Sequence, residues 1–184
     1  MRVKQMPTGP TSRPTVEGEQ NLRPSWSHDG RDVLFLSSRS GPPALYRQRA
    51  DGSTPAQRVA ATAGGLAEGF ESPDGRWVIV RTEYGSPGDG DILAMQIGDR
   101  VPRPLIATRF REGSPTISLD SRWIAYASEE TDRSEVYVRP FPDVSAGKTQ
   151  VSTAGGAAPR WSHTGRELFF WIQLHRSSVR TSGS

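Results

Sequence analysis

The residues of this chain with the types that chemistry favours are few, and none forms a set at catalytic spacing. His28 and His163 occupy matching places in a repeat, Asp89-Gly90-Asp91 sets two carboxylates around a glycine, and Arg31, Arg76, Arg122 and Arg166 recur 45, 46 and 44 residues apart. Two imidazoles need a third ligand to hold a metal, and Pro73 and Leu119 fill the histidine slot in the other copies, which favours plain turn residues. The Asp-Gly-Asp run lacks the further carboxylates at alternate positions and the distal glutamate of a calcium loop, and reads as a Gly-rich hairpin. No metal and no cofactor is therefore expected. A Gly-x-Ser-x-Gly nucleophile elbow is missing, as are the Gly-rich loop with its strand lysine, the His-Arg-Asp loop and the Asp-Phe-Gly triplet of a kinase, so the chain is expected to be non-catalytic. Cysteine is absent, which excludes disulfides and thiolate metal sites.

The four arginines each close one recurring segment. Ser27-His28-Asp29-Gly30-Arg31 returns as Ser72-Pro73-Asp74-Gly75-Arg76, as Ser118-Leu119-Asp120-Ser121-Arg122 and as Ser162-His163-Thr164-Gly165-Arg166. A period in the forties with short strands inside each unit is the signature of a β-propeller built of four-stranded blades. Within the motif, Asp accepts hydrogen bonds from nearby amides and Gly supplies a positive φ, so the segment predicts a tight hairpin opening each blade. Asp120-Ser121 and Thr164-Gly165 each keep half of that chemistry. The motif is thus read as structural, and its arginines as solvated side chains that bond turn carbonyls or a neighbouring blade's carboxylate.

The remaining strands follow from periodicity. Nearly continuous apolar runs come next, Asp32 to Leu36, Trp77 to Val80, Trp123 to Ala127 and Glu167 to Trp171, and suit strands covered on both faces. A better-alternating third strand and a short, proline-bearing fourth strand complete blades at 22–60, 68–107 and 114–152. Residues 3–16 match third and fourth strands, residues 158–171 match first and second, and 172–184 read as a polar tail without fixed structure. The expectation is an all-β propeller over 1–171 with three complete blades and two half-blades. A closed four-bladed ring, a piece of a larger propeller, and half of a propeller completed by another copy all satisfy that arithmetic; the abrupt loss of the repeat after Trp171 favours the piece. Trp26, Trp77, Trp123 and Trp161, one at the start of each unit, are expected to pack between blades.

The unit Pro-x-Trp-Ser-x-Asp-Gly-Arg, with four apolar residues behind it and a Tyr-Val-Arg third strand, resembles the WD40-like repeats called PD40 in the propeller of the TolB family. The run from Glu135 to Pro142, with Gln150 to Gly156 and Pro159 to Ser162, is most similar to the C-terminal propellers of bacterial receptor-type serine/threonine kinases. The resemblance implies a sensor or protein-interaction propeller of extracytoplasmic location and implies no catalysis. Gly-His and Trp-Asp pairs of true WD40 repeats are missing. The alternative is the accessory propeller of a serine peptidase or other hydrolase whose catalytic domain lies outside this chain.

Composition narrows the partners. The net charge is only +3, the basic residues are two lysines and otherwise arginines scattered among acids, and no basic stripe with interleaved aromatics appears, so nucleic acid is not expected. No signal core or apolar run of membrane-spanning length is present. Propeller ligands meet the loops that enter the innermost strands, around the central channel. Glu19, Asn21, Glu68, Arg109, Arg111 and Glu112 are the candidate binding residues there, for a protein or peptide partner; self-association to complete the propeller is the other expected contact.

Overall fold

Each motif serine seeds a hairpin by satisfying the turn from inside. In the computed structural model, which describes residues 3–4, 6–9, 11–12, 20–85 and 90–172, the Ser27 hydroxyl donates to Asp29 Oδ1 at 2.7 Å and accepts from the Asp32 amide at 2.9 Å. Asp29 Oδ1 accepts from the Arg31 amide at 3.1 Å, and Gly30 takes φ +68°. The same bonds recur at Ser72 and Ser118, to Asp74 and Asp120 at 2.6 Å each. In the third copy Ser121 holds the glycine place at φ +56°, a strained conformation for a residue with a Cβ. Its hydroxyl accepts from the Asp74 amide of the preceding blade at 3.1 Å, which helps offset that strain.

Strands β1 (Val3–Lys4) and β2 (Thr11–Ser12) form a two-stranded sheet. Three four-stranded antiparallel meanders follow: β3 (Asn21–Trp26), β4 (Asp32–Ser37), β5 (Ala44–Arg49) and β6 (Gln57–Ala60); β7 (Leu66–Glu71), β8 (Trp77–Thr82), β9 (Ile92–Gln96) and β10 (Arg103–Ile106); β11 (Glu112–Ile117), β12 (Trp123–Ser128), β13 (Glu135–Pro140) and β14 (Thr149–Gln150). A two-stranded sheet of β15 (Ala157–Trp161) and β16 (Leu168–Trp171) closes the described chain. The fold is a partial propeller: among the described residues the two half-sheets pair only internally, so no closed four-bladed ring is formed. The first strand of the N-terminal half-blade ends earlier than the sequence suggests, because the chain turns at Met6–Thr8, and residues 13–16 of that half-blade lie outside the described residues. The proposed tail beyond residue 172 and Glu19 lie outside the described residues, as does Asp89.

Blades pack face to face, and the apolar second strands lie at the contacts. Leu34, Leu36 and Leu45 of the first full blade meet Leu66, Val78 and Val80 of the second in one cluster. Ile79, Ile92 and Ala94 on the other face of the second blade meet Ile124, Tyr126 and Tyr137 of the third. Each strand is therefore apolar on both faces, which is why its sequence runs rather than alternates. Polar contacts fix the blade angle at the motif end. Glu71, buried at the end of β7, accepts from Arg47 Nη1 at 2.9 Å, from the His28 amide at 3.1 Å, and pairs with His28 Nδ1 at 3.0 Å. His28 is thus an inter-blade contact and not a plain turn residue. A Cβ on Gly75, which sits at φ +69°, would stand 2.6 Å from the His28 ring, so glycine there serves both the turn and the close approach of the blades.

The tryptophans divide. Trp77 packs edge-on against Phe141 of the next blade with ring centres 5.6 Å apart, and Trp161 Nε1 donates to the Thr116 carbonyl of the blade before it at 3.3 Å. Trp26 and Trp123 are exposed instead. Uniform inter-blade packing of the four does not hold, because Trp26 has no full blade behind it and Trp123, which holds the place of Trp77, is followed by a sheet that has, among the described residues, no third strand to carry a counterpart of Phe141.

Candidate functional site: the inner-strand face

The innermost strands β3, β7, β11 and β15 all carry a bulge near their midpoints, where the register to the second strand slips. In three of them the bulge residue has a left-handed backbone and precedes a proline: Arg23 at φ +49° before Pro24, Ser114 at φ +50° before Pro115 and Ala158 at φ +49° before Pro159. A non-glycine residue in that region costs of order 1–3 kcal/mol, and bulges of this kind re-aim a side chain from the sheet plane. Glu68 holds the corresponding place in β7. The four equivalent positions therefore read Arg, Glu, Ser and Ala along the innermost strands.

Two of them meet. Glu68 Oε1 accepts from Arg81 Nε at 3.0 Å and lies 3.9 Å from Arg23 Nη1. Arg81 is buried although it interrupts an apolar strand, and its Nη1 donates to the Thr82 carbonyl at 3.0 Å. Its guanidinium stacks 4.5 Å from the centre of the Tyr84 ring, and the Arg111 guanidinium lies 5.3 Å from the same ring. Arg23, by contrast, is largely exposed, with its long contact to Glu68. On one side of Arg23 runs a groove of about 380 Å³ bounded by Ser25, Glu68, Phe70, Thr116 and Arg160. On the other runs a groove of about 360 Å³ over Leu22, Leu36 and Leu66, with Arg81 and Tyr84 on its wall.

The sequence candidates are distributed unevenly over this face. Glu68 lies at its centre and Arg111 at its edge through Tyr84. Asn21 accepts from Arg39 Nη2 at 3.2 Å on β3. Arg109 lies against its own neighbour Phe110, 4.8 Å from the ring centre. Glu112 is not a loop ligand: it belongs to β11, is buried, and accepts from the Thr108 hydroxyl at 2.5 Å through Oε1. Its Oε2 has no hydrogen-bond partner among the described residues. Burial raises its pKa to about 7 against the pull of the Thr108 bond, with Asp91 and Glu130 adding to the rise. Sequence reasoning missed Arg23, Arg81, Tyr84 and Arg160. A usable signal existed for the first, since an x-Pro pair recurs four residues before the motif serine in three units.

The motif arginines stay away from this face. Arg31, Arg76, Arg122 and Arg166 sit at hairpin turns, and Arg76 Nε lies 3.8 Å from Asp74 of its own turn. Asp74, Gly75, Arg76 and Trp77 form with Asp120, Ser121 and Arg122 an open seam of about 660 Å³ between the second and third blades. The fourth copy keeps its turn through Ser162 and Thr164, whose hydroxyls lie 2.9 Å apart, with Gly165 at φ +69°. Among the described residues no three His, Asp or Glu side chains gather in a way that could hold a metal.

Comparison with solved structures agrees on the architecture. A putative TolB from Agrobacterium tumefaciens superposes with a TM-score of 0.67 at 20% identity over 83% of this chain and 53% of that one. TolB from Acinetobacter baumannii gives 0.59 at 22% identity over 71% and 32%. A puromycin-hydrolyzing peptidase from Mycobacterium tuberculosis gives 0.61 at 15% identity over 83% and 28%. The chain thus spans about half the length of one of these proteins and about a third or less of the others. Neither a protein-family model nor a curated protein matches the sequence. The fold is that of a TolB-type propeller, present in part.

Proposed function

We propose that the chain is a non-catalytic binding module whose inner-strand face takes an acidic protein segment or peptide, as the sensor or scaffold part of a larger bacterial protein such as a receptor-type kinase. The observation that carries this reading is the placement of Arg23. A strained bulge holds its guanidinium between two grooves, with a 3.9 Å contact to Glu68 and most of its side chain in solvent. A guanidinium presents a planar fork to carboxylates, and pre-organisation lowers the entropy lost on binding. Arg160 on the neighbouring wall and the apolar floor of Leu22, Leu36 and Leu66 suit a ligand that alternates carboxylate and aliphatic side chains.

Peptide arrays followed by titration calorimetry test this. Acidic, aliphatic peptides should bind with a salt-sensitive affinity, and Arg23→Ala with Arg160→Ala should weaken them by about tenfold or more, the scale of a hot-spot arginine. Equal binding of basic peptides, or unchanged affinity in the double variant, would refute the site.

The likeness to peptidase propellers favours a second reading, in which the module is an accessory propeller that gates a hydrolase domain. In that case the same face would admit substrate without retaining it. Peptides would then bind weakly and with little sequence preference.

A further inference from the structure

The groove of about 380 Å³ beside Arg23 gathers a second set of equivalent positions. Ser25, Phe70, Thr116 and Arg160 each stand two residues before their motif serine, one on each innermost strand, and all four bound this groove together with Arg23 and Glu68. The rest of its wall is proline and glycine. Its charges do not cancel. Glu68 Oε1 takes its short bond, 3.0 Å, from Arg81 Nε, and both of those side chains are largely buried, whereas Arg23 lies 3.9 Å from the same oxygen. Arg81 therefore matches Glu68, and the guanidiniums of Arg23 and Arg160 add two positive charges beyond that pair. Arg160 is exposed and gives one Nη1 hydrogen to the Pro159 carbonyl at 2.9 Å, which leaves most of its five donors for a ligand.

The hydroxyls of the groove are lightly committed. Ser25 Oγ reaches the Gly69 carbonyl at 3.4 Å, a long hydrogen bond. Thr116 accepts from Trp161 through its carbonyl, and its hydroxyl bonds nothing among the described residues. A carboxylate brings one charge and two oxygens, enough for one guanidinium and not for both. A phosphomonoester carries about −1.5 to −2 at pH 7 and three strong acceptor oxygens, so it matches two guanidiniums and keeps an oxygen for a hydroxyl.

We propose that the groove takes a phosphorylated serine or threonine of a peptide segment, its phosphate shared by Arg23 and Arg160 and bonded by the Thr116 hydroxyl, with Phe70 against the adjoining aliphatic residue. The assignment rests on the acidic-segment reading above and changes its ligand group from a carboxylate to a dianion. A peptide is the occupant because the groove is several times larger than one phosphate group, and Phe70 and Pro115 set apolar surface beside the charges.

Titration calorimetry on the full chain tests this with acetylated, amidated peptides of the sequence Ala-Leu-X-Leu-Ala, in which X is phosphoserine, glutamate or serine. The phosphoserine peptide should bind about tenfold or more tightly than the glutamate peptide, the effect of one further charge-assisted pair. Arg23→Ala and Arg160→Ala should each weaken the phosphoserine peptide by about tenfold and remove most of its advantage over glutamate, and Thr116→Val should weaken it by about fivefold. Circular-dichroism spectra that match the wild type show that these variants stay folded. Inorganic phosphate is the remaining probe, and it should displace the phosphoserine peptide only at about tenfold higher concentration or more, since it lacks the apolar contacts. Equal affinity for the phosphoserine and glutamate peptides would overturn the phosphate assignment and leave the acidic-segment reading standing. Displacement by inorganic phosphate at equal concentration would overturn the peptide as the source of the phosphate. A groove that binds neither acidic peptide, or binds the serine peptide equally, would overturn both readings.

Discussion

Replacing Glu112 by Gln should change how the stability of this propeller depends on pH, in a predictable direction. Glu112 is 1% exposed, keeps one bond from Thr108, and leaves Oε2 without a partner among the described residues. Its pKa stands at about 7 in the fold against an ordinary 4.5, chiefly through burial. At about 1.4 kcal/mol per unit, that difference is worth about 3 kcal/mol. Because the folded value is raised, the protonated carboxyl stabilises the fold: the contribution is complete below pH 4.5 and is lost as the pH rises through about 7. Between pH 5 and pH 8 the wild type should therefore lose about 2–3 kcal/mol through this residue alone. Glutamine keeps the Thr108 bond through Oε1 and cannot ionise. Its amide nitrogen is left unpaired, a cost of about 1–3 kcal/mol, but that cost is the same at both pH values and cancels in the difference. Urea unfolding of both proteins at pH 5 and pH 8 measures it. The variant should gain on the wild type by about 2–3 kcal/mol across that interval, or about 5–10 °C in melting temperature for a chain of this size. Parallel stability profiles for the two proteins would show that Glu112 is hydrated or paired in the folded state, and would refute the reasoning.

Other expectations concern the junctions and turns. Glu71→Ala should cost about 3 kcal/mol in urea unfolding, since it leaves Arg47 and His28 without the buried carboxylate that ties two blades together. Gly75→Ala should destabilise by more than its turn strain alone, because the new methyl meets the His28 ring; a His28→Ala background should recover part of the loss, read as a double-mutant cycle. Ser118→Ala removes the hydroxyl that bonds both Asp120 and the Trp123 amide, and should cost about 1–2 kcal/mol. The same hydroxyl, followed by the Arg122 amide, holds the Asp120 carboxylate below its ordinary pKa, so this turn contributes stability above that value that is lost as pH falls through the depressed one. Acid titration of the Ser118→Ala protein should accordingly show a shallower loss below pH 4 than the wild type.

The architecture was legible because its cause is local and repeated. Ser, Asp and Gly at fixed spacing satisfy a hairpin from within, and four copies of the segment report a period without any knowledge of long-range contacts. The apolar second strands were equally plain, since burial on both faces abolishes alternation. The contacts between blades are a different matter. Glu71 and His28 lie 43 residues apart, and neither position is distinctive in its own unit. Glu112 looked like a solvated loop charge and is a buried strand residue, because the start of β11 lies under Tyr84, whose hydroxyl reaches the Glu112 carbonyl at 3.4 Å. That approach depends on how far one blade is rotated against the next.

The inner-strand face stands between these cases. Arg23-Pro24, Ser114-Pro115 and Ala158-Pro159 occur at one place in three units, and a proline there disfavours the ordinary helical backbone of the residue before it. Strain that recurs in register is not an accident of one loop: the bulge must serve each blade, and the side chain it re-aims is free to vary. The residues at those places are Arg, Ser and Ala, with Glu68 at the fourth. A position whose left-handed backbone is held while its side chain changes from cation to hydroxyl to methyl leaves that side chain free of the fold's own demands. The motif serines Ser27, Ser72 and Ser118, each donating its hydroxyl to the aspartate of its own turn, have no hydrogen left to offer a ligand.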